Sequence, residues 1–185
     1  MLLMTTLIVG LGNPGPEYAT TRHNIGFLAL DRLREVFGAP EFRPEAKFST
    51  LLSSVVVDGR KVILAKPTTY MNESGRAVRA ILDYYKLNPA ALIVIHDDLD
   101  IAPGTLRITD SSRAAGHNGV QDIIDCLGTQ DFFRLRLGIG RPVEVEGVCI
   151  PSHDYVLGRF SEEESAGHAV LFDAVIRTVR DRLAV

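Results

Sequence analysis

The stretch Thr5–Leu11 constrains this chain most: a β-branched and aliphatic run that ends abruptly in Gly12-Asn13-Pro14-Gly15. An apolar run of that length, bounded by turn formers, reads as a buried strand followed by a forced turn. From about Asn24 to Phe37, the residues Phe27, Leu30, Leu33 and Phe37 recur at helical spacing. Gly38 and Pro40 then stop the pattern, so an amphipathic helix is expected to follow the first strand.

The remaining chain repeats the same vocabulary. Phe48–Val57 and Lys61–Ala65 flank Asp58-Gly59, the pair that favours a two-residue hairpin turn, so the sheet should contain an antiparallel pair. A helix over Ser74–Lys86, with Val78, Ile81, Leu82 and Tyr85 on one face, precedes an apolar strand from Leu92 to Ile95 that ends in His96-Asp97-Asp98. That order suggests a parallel crossover. Thr105–Ile108 is a short strand candidate, and Asn118–Leu127 is helical in pattern and closed by Gly128. Phe133, Leu135, Leu137 and Ile139 alternate strictly with Arg134, Arg136 and Gly138, a strand with one apolar face and two guanidinium groups on the other. Ser161 and Glu164 stand at capping-box spacing before a terminal helix through Leu171 and Leu183. No repeat or linker interrupts the 185 residues, and 46% hydrophobic content suffices for one core. The expectation is a single α/β domain over residues 1–185: three layers, with a mixed, mostly parallel sheet flanked by helices.

Charge and cysteine content exclude several classes of function. Lys and Arg number 20 against 23 Asp and Glu, a net charge of -3, so a polyanionic partner must be held by a local basic patch. Cys126 and Cys149 lie far apart without metal-like spacing, which argues against a disulfide scaffold or a cysteine zinc site and fits a reducing cytoplasm. The opening MLLMTTLIVGLG is too short an apolar run for a signal peptide, and no membrane span is expected.

Gly10-Leu-Gly12-Asn-Pro-Gly15 also matches G-x-G-x-x-G after a strand. In a dinucleotide-binding crossover the helix begins within the glycines, and a strand with a terminal acid follows it. Here Pro14, Pro16 and the TTRHN stretch delay the helix, and the next extended region is the hairpin. The glycines are better read as letting the backbone turn tightly so that Asn13 projects from the strand end.

Asn13, His23, Asn72, Asp97 and Asn118 all fall where strands hand over to helices, the usual ligand crevice of an open α/β sheet. Each alone reads as a cap or turn residue; together they point to a site. A His paired with a carboxylate makes a general base near neutral pH. Without a G-x-S-x-G elbow, and with both cysteines outside the constellation, water is the nucleophile that remains. Asn amides can donate to carbonyl oxygens and to a developing oxyanion, which suits hydrolysis of an acyl bond. A metal hydrolase using His96, Asp97, Asp98 and Asp100 is the rival, although adjacent strand residues point to opposite faces. Asp98 and Asp100 read more simply as a solvated acidic turn.

Five ordered motifs, LIVGLGNPGPEYATTRHNIGF, KPTTYMNESG, VIHDDLD, GHNGVQDI and FFRLRLGIGRP, make the chain resemble the bacterial peptidyl-tRNA hydrolase family over most of its length. The resemblance implies a carboxylic ester hydrolase that cleaves the bond between a peptide and the 3'-ribose of tRNA, without metal or organic cofactor. It implies peptidyl-tRNA, through its acceptor end and peptide, as the partner of a cytoplasmic monomer. Carried over by motif, His23 is similar to the general base, Asp97 to its carboxylate partner, and Asn13 to the residue that tells N-blocked from free aminoacyl esters. Tyr18, Tyr70, Asn72 and Asn118 correspond to substrate contacts, Met71 to an apolar wall of the peptide groove, and Arg136 and Arg107 to tRNA-phosphate contacts. His117 matches the family's second histidine, with a structural role in its turn as the other reading.

The sequence departs from the family pattern in RITDSSRAAGHNG, where Thr109 and Asp110 replace expected cations and a glycine-rich loop is lost. Arg113 is a candidate to supply charge from within the loop. Lys66, Arg76 and Arg79 belong to a stretch, 58–86, that could form a wider basic face, although solvated surface charge is the simpler account of each. A non-catalytic RNA-binding relative on the same fold is the alternative function, and such a chain would be free to lose His23.

Overall fold

The computed structural model describes residues 4–143 and 150–184. Its strands are β1 (Thr5–Gly10), β2 (Arg43–Glu45), β3 (Thr50–Val57), β4 (Arg60–Pro67), β5 (Leu92–Asp98), β6 (Leu106–Ser111) and β7 (Asp131–Gly138). The helices are α1 (Ile25–Val36), α2 (Ser74–Tyr85), α3 (Asn118–Leu127), α4 (Ser152–Leu157), α5 (Glu162–Ala166) and α6 (His168–Ala184). The strands form one sheet in the order β2-β3-β4-β1-β5-β7-β6. Its centre, β4-β1-β5-β7, is parallel, and β2, β3 and β6 run antiparallel to their neighbours. No helix of the described residues is long and apolar enough to cross a membrane.

Alternation along β1 divides the core. Ile8 faces a cluster with Leu30, Leu33, Leu135, Leu137 and Val175, so α1 and α6 cover that side. Leu7 and Val9 face the other cluster, with Val78, Ile81, Val120 and Ile123 of α2 and α3. The expected sheet flanked by helices is therefore present. The hairpin turns at Asp58 and Gly59, both with positive φ, as a two-residue turn of this kind requires. The expected capping box is also formed, since Glu164 N donates to Ser161 Oγ and Ser161 N to Glu164 Oε2. It opens the short α5, however, and the long terminal helix begins separately at His168.

Of the three early glycines, one turns the backbone as the sequence suggests, and the other two stand where a Cβ would collide. Only Gly15 has a positive φ, 115°. A Cβ on Gly10 would lie 2.4 Å from the carbonyl oxygen of Gly26, and one on Gly26 would lie 2.4 Å from that of Ile95. The pair lets the first turn of α1 press against the ends of β1 and β5, where a side chain would collide with backbone. In an open helix interior, glycine to alanine stabilises by about 1 kcal/mol. Gly26→Ala should do the reverse and cost about 3 kcal/mol, the upper range for overpacking. A lower urea midpoint at unchanged m-value checks this, and an unchanged midpoint would refute the close-approach account.

Candidate active site

The close approach of α1 brings the turn Arg22–Asn24 beside the end of β5. Asp97 is 2% exposed there. His23 Nδ1 lies 2.9 and 3.0 Å from its two carboxylate oxygens, and His117 Nε2 lies 3.0 Å from Oδ1. His117 is also the N-cap of α3, with its Nδ1 accepting from Val120 N at 3.3 Å. A neutral His117 therefore carries its hydrogen on Nε2 and donates it to Asp97. His23 donates through Nδ1, which leaves its Nε2 without a partner among the described residues.

Burial opposes charge on Asp97 and His23, and their mutual attraction, with the hydrogen bonds between them, outweighs it. Burial alone would raise the Asp97 carboxyl, but attraction to His23 and His117, with their hydrogen bonds, holds it far below the usual carboxylate range. Burial would lower His23, yet the charge and hydrogen bond of Asp97 raise it above its ordinary value of 6.5. His96 is pushed well below that value by burial first and then by His117, and its Nδ1 donates to the Asp97 carbonyl oxygen at 2.7 Å.

The turn bearing His23 is braced from outside. Arg22 donates to both carboxylate oxygens of Glu164 at 3.0 and 2.8 Å, and its guanidinium lies 4.3 Å from the centroid of the Tyr155 ring. Asn24, expected only as a helix start, clasps Asn13: Asn13 N donates to Asn24 Oδ1, and Asn24 Nδ2 donates to Asn13 O, each at 2.9 Å. Met71 N donates to Asn13 Oδ1 at 2.8 Å, leaving Asn13 Nδ2 without a protein partner among the described residues. Met71 itself, expected on a groove wall, is 5% exposed and packed in the core with Leu11 and Val120. Its side chain fills the space against Gly119, where a Cβ would come within 2.5 Å of Met71 Sδ. Its backbone N–H is the group that meets Asn13.

A cleft of about 350 Å³ opens over the pair, lined by His23, Asp97, His117 and Asn118. Arg141, with Ser152, His153 and Val156 from α4, supplies another part of its wall. The sequence offered little to find that wall, since six residues of α4 are too short for a periodic pattern. Asn72 is exposed at the turn before α2, Tyr70 is exposed beside it, and Tyr18 is half-buried in the turn Pro16–Tyr18; none of the three lines the cleft.

The proposed metal set is not assembled. Asp98 is buried, not solvated: it accepts from Arg136 Nε and Nη2, each at 2.8 Å, and from Asp100 N. Asp100 pairs with Arg141. Among the described residues, the groups that do converge are His23, Asp97 and His117, with potential ligand atoms within 4.8 Å of one another. A metal on His117 Nε2 would move the ring hydrogen to Nδ1, directly against the Val120 N–H, so the donor set suits a hydrogen-bonded triad better than an ion.

The cations also differ from expectation. Arg134 and Arg136 share a face of β7, but Arg134 is buried and only Arg136 approaches the surface. Arg107 pairs in register with Arg136 across the edge of the sheet and is exposed, as is Arg113. Lys66 is drawn inward to Asp31, and Arg76 and Arg79 pair with Glu73 and Asp83, so these three are not free members of a basic face.

A family model described as peptidyl-tRNA hydrolase matches residues 7–184. The chain belongs to that family. A peptidyl-tRNA hydrolase from an Exiguobacterium species is 51% identical over 157 residues, 85% of this chain and 82% of that protein. One from Beijerinckia indica is 48% identical over 160 residues, 86% and 77% of the respective chains. A crystal structure of peptidyl-tRNA hydrolase from Acinetobacter baumannii superposes with a TM-score of 0.87 at 35% identity, covering 97% of this chain and 89% of that one.

A base works deprotonated, so catalysis that uses His23 should rise with pH through a value above 6.5. Asp97→Asn removes the negative charge that raises His23 and should shift the inflection of kcat/KM downward while lowering the plateau. An inflection that stays in place would remove Asp97 as the cause of the shift.

Proposed function

We propose that this cleft hydrolyses the ester between the terminal carbonyl of a peptide and the 3'-ribose oxygen of tRNA, with His23 as general base for water. The observation that carries the assignment is the asymmetry of the two histidines on Asp97. Both ring nitrogens of His117 are engaged, whereas His23 keeps Nε2 available at the cleft. Water adds to the carbonyl carbon and passes a proton to Nε2, and Asp97 stabilises the imidazolium that forms. Collapse of the tetrahedral intermediate breaks the bond to the ribose oxygen, which takes the proton back. The products are a peptide acid and tRNA, and no step calls for a metal or organic cofactor.

Asn13 is held by its own backbone and by Oδ1, so Nδ2 is oriented in advance to donate to a peptide-like group. In this reading Asn118 contacts substrate at the cleft, and Asn72, Tyr18 and Tyr70, outside it, meet parts of the peptide and acceptor end that extend beyond. Arg136 keeps Nη1 for a tRNA phosphate, with the exposed Arg107 opposite in register. The reading treats residues 1–185 as one domain acting as a cytoplasmic monomer. A binding-only relative would have no use for a charged carboxylate buried between two histidines, which favours the enzyme.

His23→Ala should lower turnover of N-acetylated aminoacyl-tRNA by about a hundred- to ten-thousand-fold with unchanged circular dichroism. Wild-type activity should survive EDTA; near-normal turnover in the folded variant would end the assignment of His23. Asn13→Asp keeps the acceptor for Met71 N–H but loses the donor and adds a charge that attracts a free ammonium. It should therefore collapse the preference for blocked over free aminoacyl esters. An unchanged ratio of the two rates would place discrimination elsewhere.

A further inference from the structure

Arg134 lies in the interior of the sheet, paired in register with Val94 of β5 and Thr109 of β6, and is 1% exposed. Among the described residues it has no carboxylate at ion-pair distance. Its Nη1 donates to the carbonyl oxygen of Arg113 at 3.2 Å, and its Nη2 reaches both the carbonyl oxygen and Oγ of Ser112. A guanidinium so buried needs partners for its donors: Nε has none among the described residues, and every partner of Nη1 and Nη2 belongs to one short segment between β6 and α3.

That segment carries the second half of the active site. After Ser112 and Arg113 the chain buries Ala114, passes through positive φ at Ala115 (51°) and Gly116 (83°), and delivers His117, whose N donates to Ala114 O at 3.0 Å. A left-handed alanine persists only where its surroundings over-determine it. The loop is fixed at one end by the guanidinium fork and at the other by the bond from His117 to Asp97. We propose that Arg134 is a positioning residue of the cleft: by holding the Ser112 and Arg113 carbonyls, it builds the loop that presents His117 to Asp97 and Asn118 to the substrate. Residues 111–115 contain no glycine, and there the buried fork sets the loop's shape. The functional consequence rests on the hydrolase reading given above.

The test compares Arg134→Met and Arg134→Lys with wild type in the full chain, using amide hydrogen exchange and steady-state kinetics on N-acetylated aminoacyl-tRNA. Met leaves both carbonyls unpaired; Lys keeps the charge but cannot reproduce the two-pronged fork. Exchange over residues 112–118 should accelerate at least tenfold in the Met variant, with β5 and α6 unchanged. Its kcat should fall at least tenfold while KM moves less than twofold, and Lys should lie between Met and wild type in both measurements. If Met fails to fold, Lys alone decides through faster exchange confined to 112–118. Unchanged loop exchange, or a loss expressed only in KM, would overturn the proposal. An inactive wild-type protein would instead defeat the hydrolase reading, and the exchange measurement would still decide whether Arg134 tethers the loop.

Discussion

Asp97 carries a charge in a place that water scarcely reaches, so its neighbours must donate hydrogen bonds to it or make room for a group that does. Gly10 and Gly26 make the room, letting the turn before α1 come close enough for His23 to reach the end of β5. The start of α3 supplies the second donor, with His117 capping its own helix and meeting the carboxylate with the same ring. Parallel strands place these handovers along one edge of the sheet, where residues distant in sequence become neighbours.

The two histidines are not equivalent. A ring that caps a helix through one nitrogen and donates through the other has no lone pair to offer a water molecule. His117 thus spends its hydrogen-bonding capacity on architecture, and it strengthens Asp97 as a fixed anion. His23 receives the benefit: Asp97 sets its tautomer and favours its protonated form, while the nitrogen away from the carboxylate remains free. One buried charge accordingly divides a pair of chemically identical side chains into one that is fully engaged and one with a free nitrogen, the difference on which the proposed role of His23 as base rests.

Periodicity carried the main elements into view because burial imposes it. The alternation in β7 placed Phe133, Leu135, Leu137 and Ile139 in one cluster, and the Asp58-Gly59 hairpin and Ser161 capping box formed where their local chemistry requires. The strand-end residues His23 and Asp97 were visible as chemistry, although their contact depends on tertiary approach. What stayed hidden depends on depth or length. Arg134 and Arg136 look alike in sequence, yet one lies under a loop and the other at the rim, a difference that alternation cannot express. β2 has three residues including Pro44, and α4 has six, too few for either to show a period. Gly10 resembled a turn residue because sequence does not reveal that a helix backbone would press against it.

The arrangement of charge bears on how a chain of net charge -3 holds a polyanion on the proposed reading. Arg136 is already oriented by Asp98, two of its nitrogens fixed on one carboxylate oxygen. Such a pair contributes less long-range attraction than a free cation, so general pull on nucleic acid is weak. It also reduces the ordering that phosphate binding must impose on a long side chain, and it keeps the guanidinium at a set position beside the cleft. Asp98 and Asp97 are adjacent on β5, so the group that aims Arg136 and the group that aims His23 share one rigid strand end. A phosphate held by Arg136 would consequently be registered against the reacting carbonyl through that strand, making acceptor-end geometry, more than charge alone, the basis of selection.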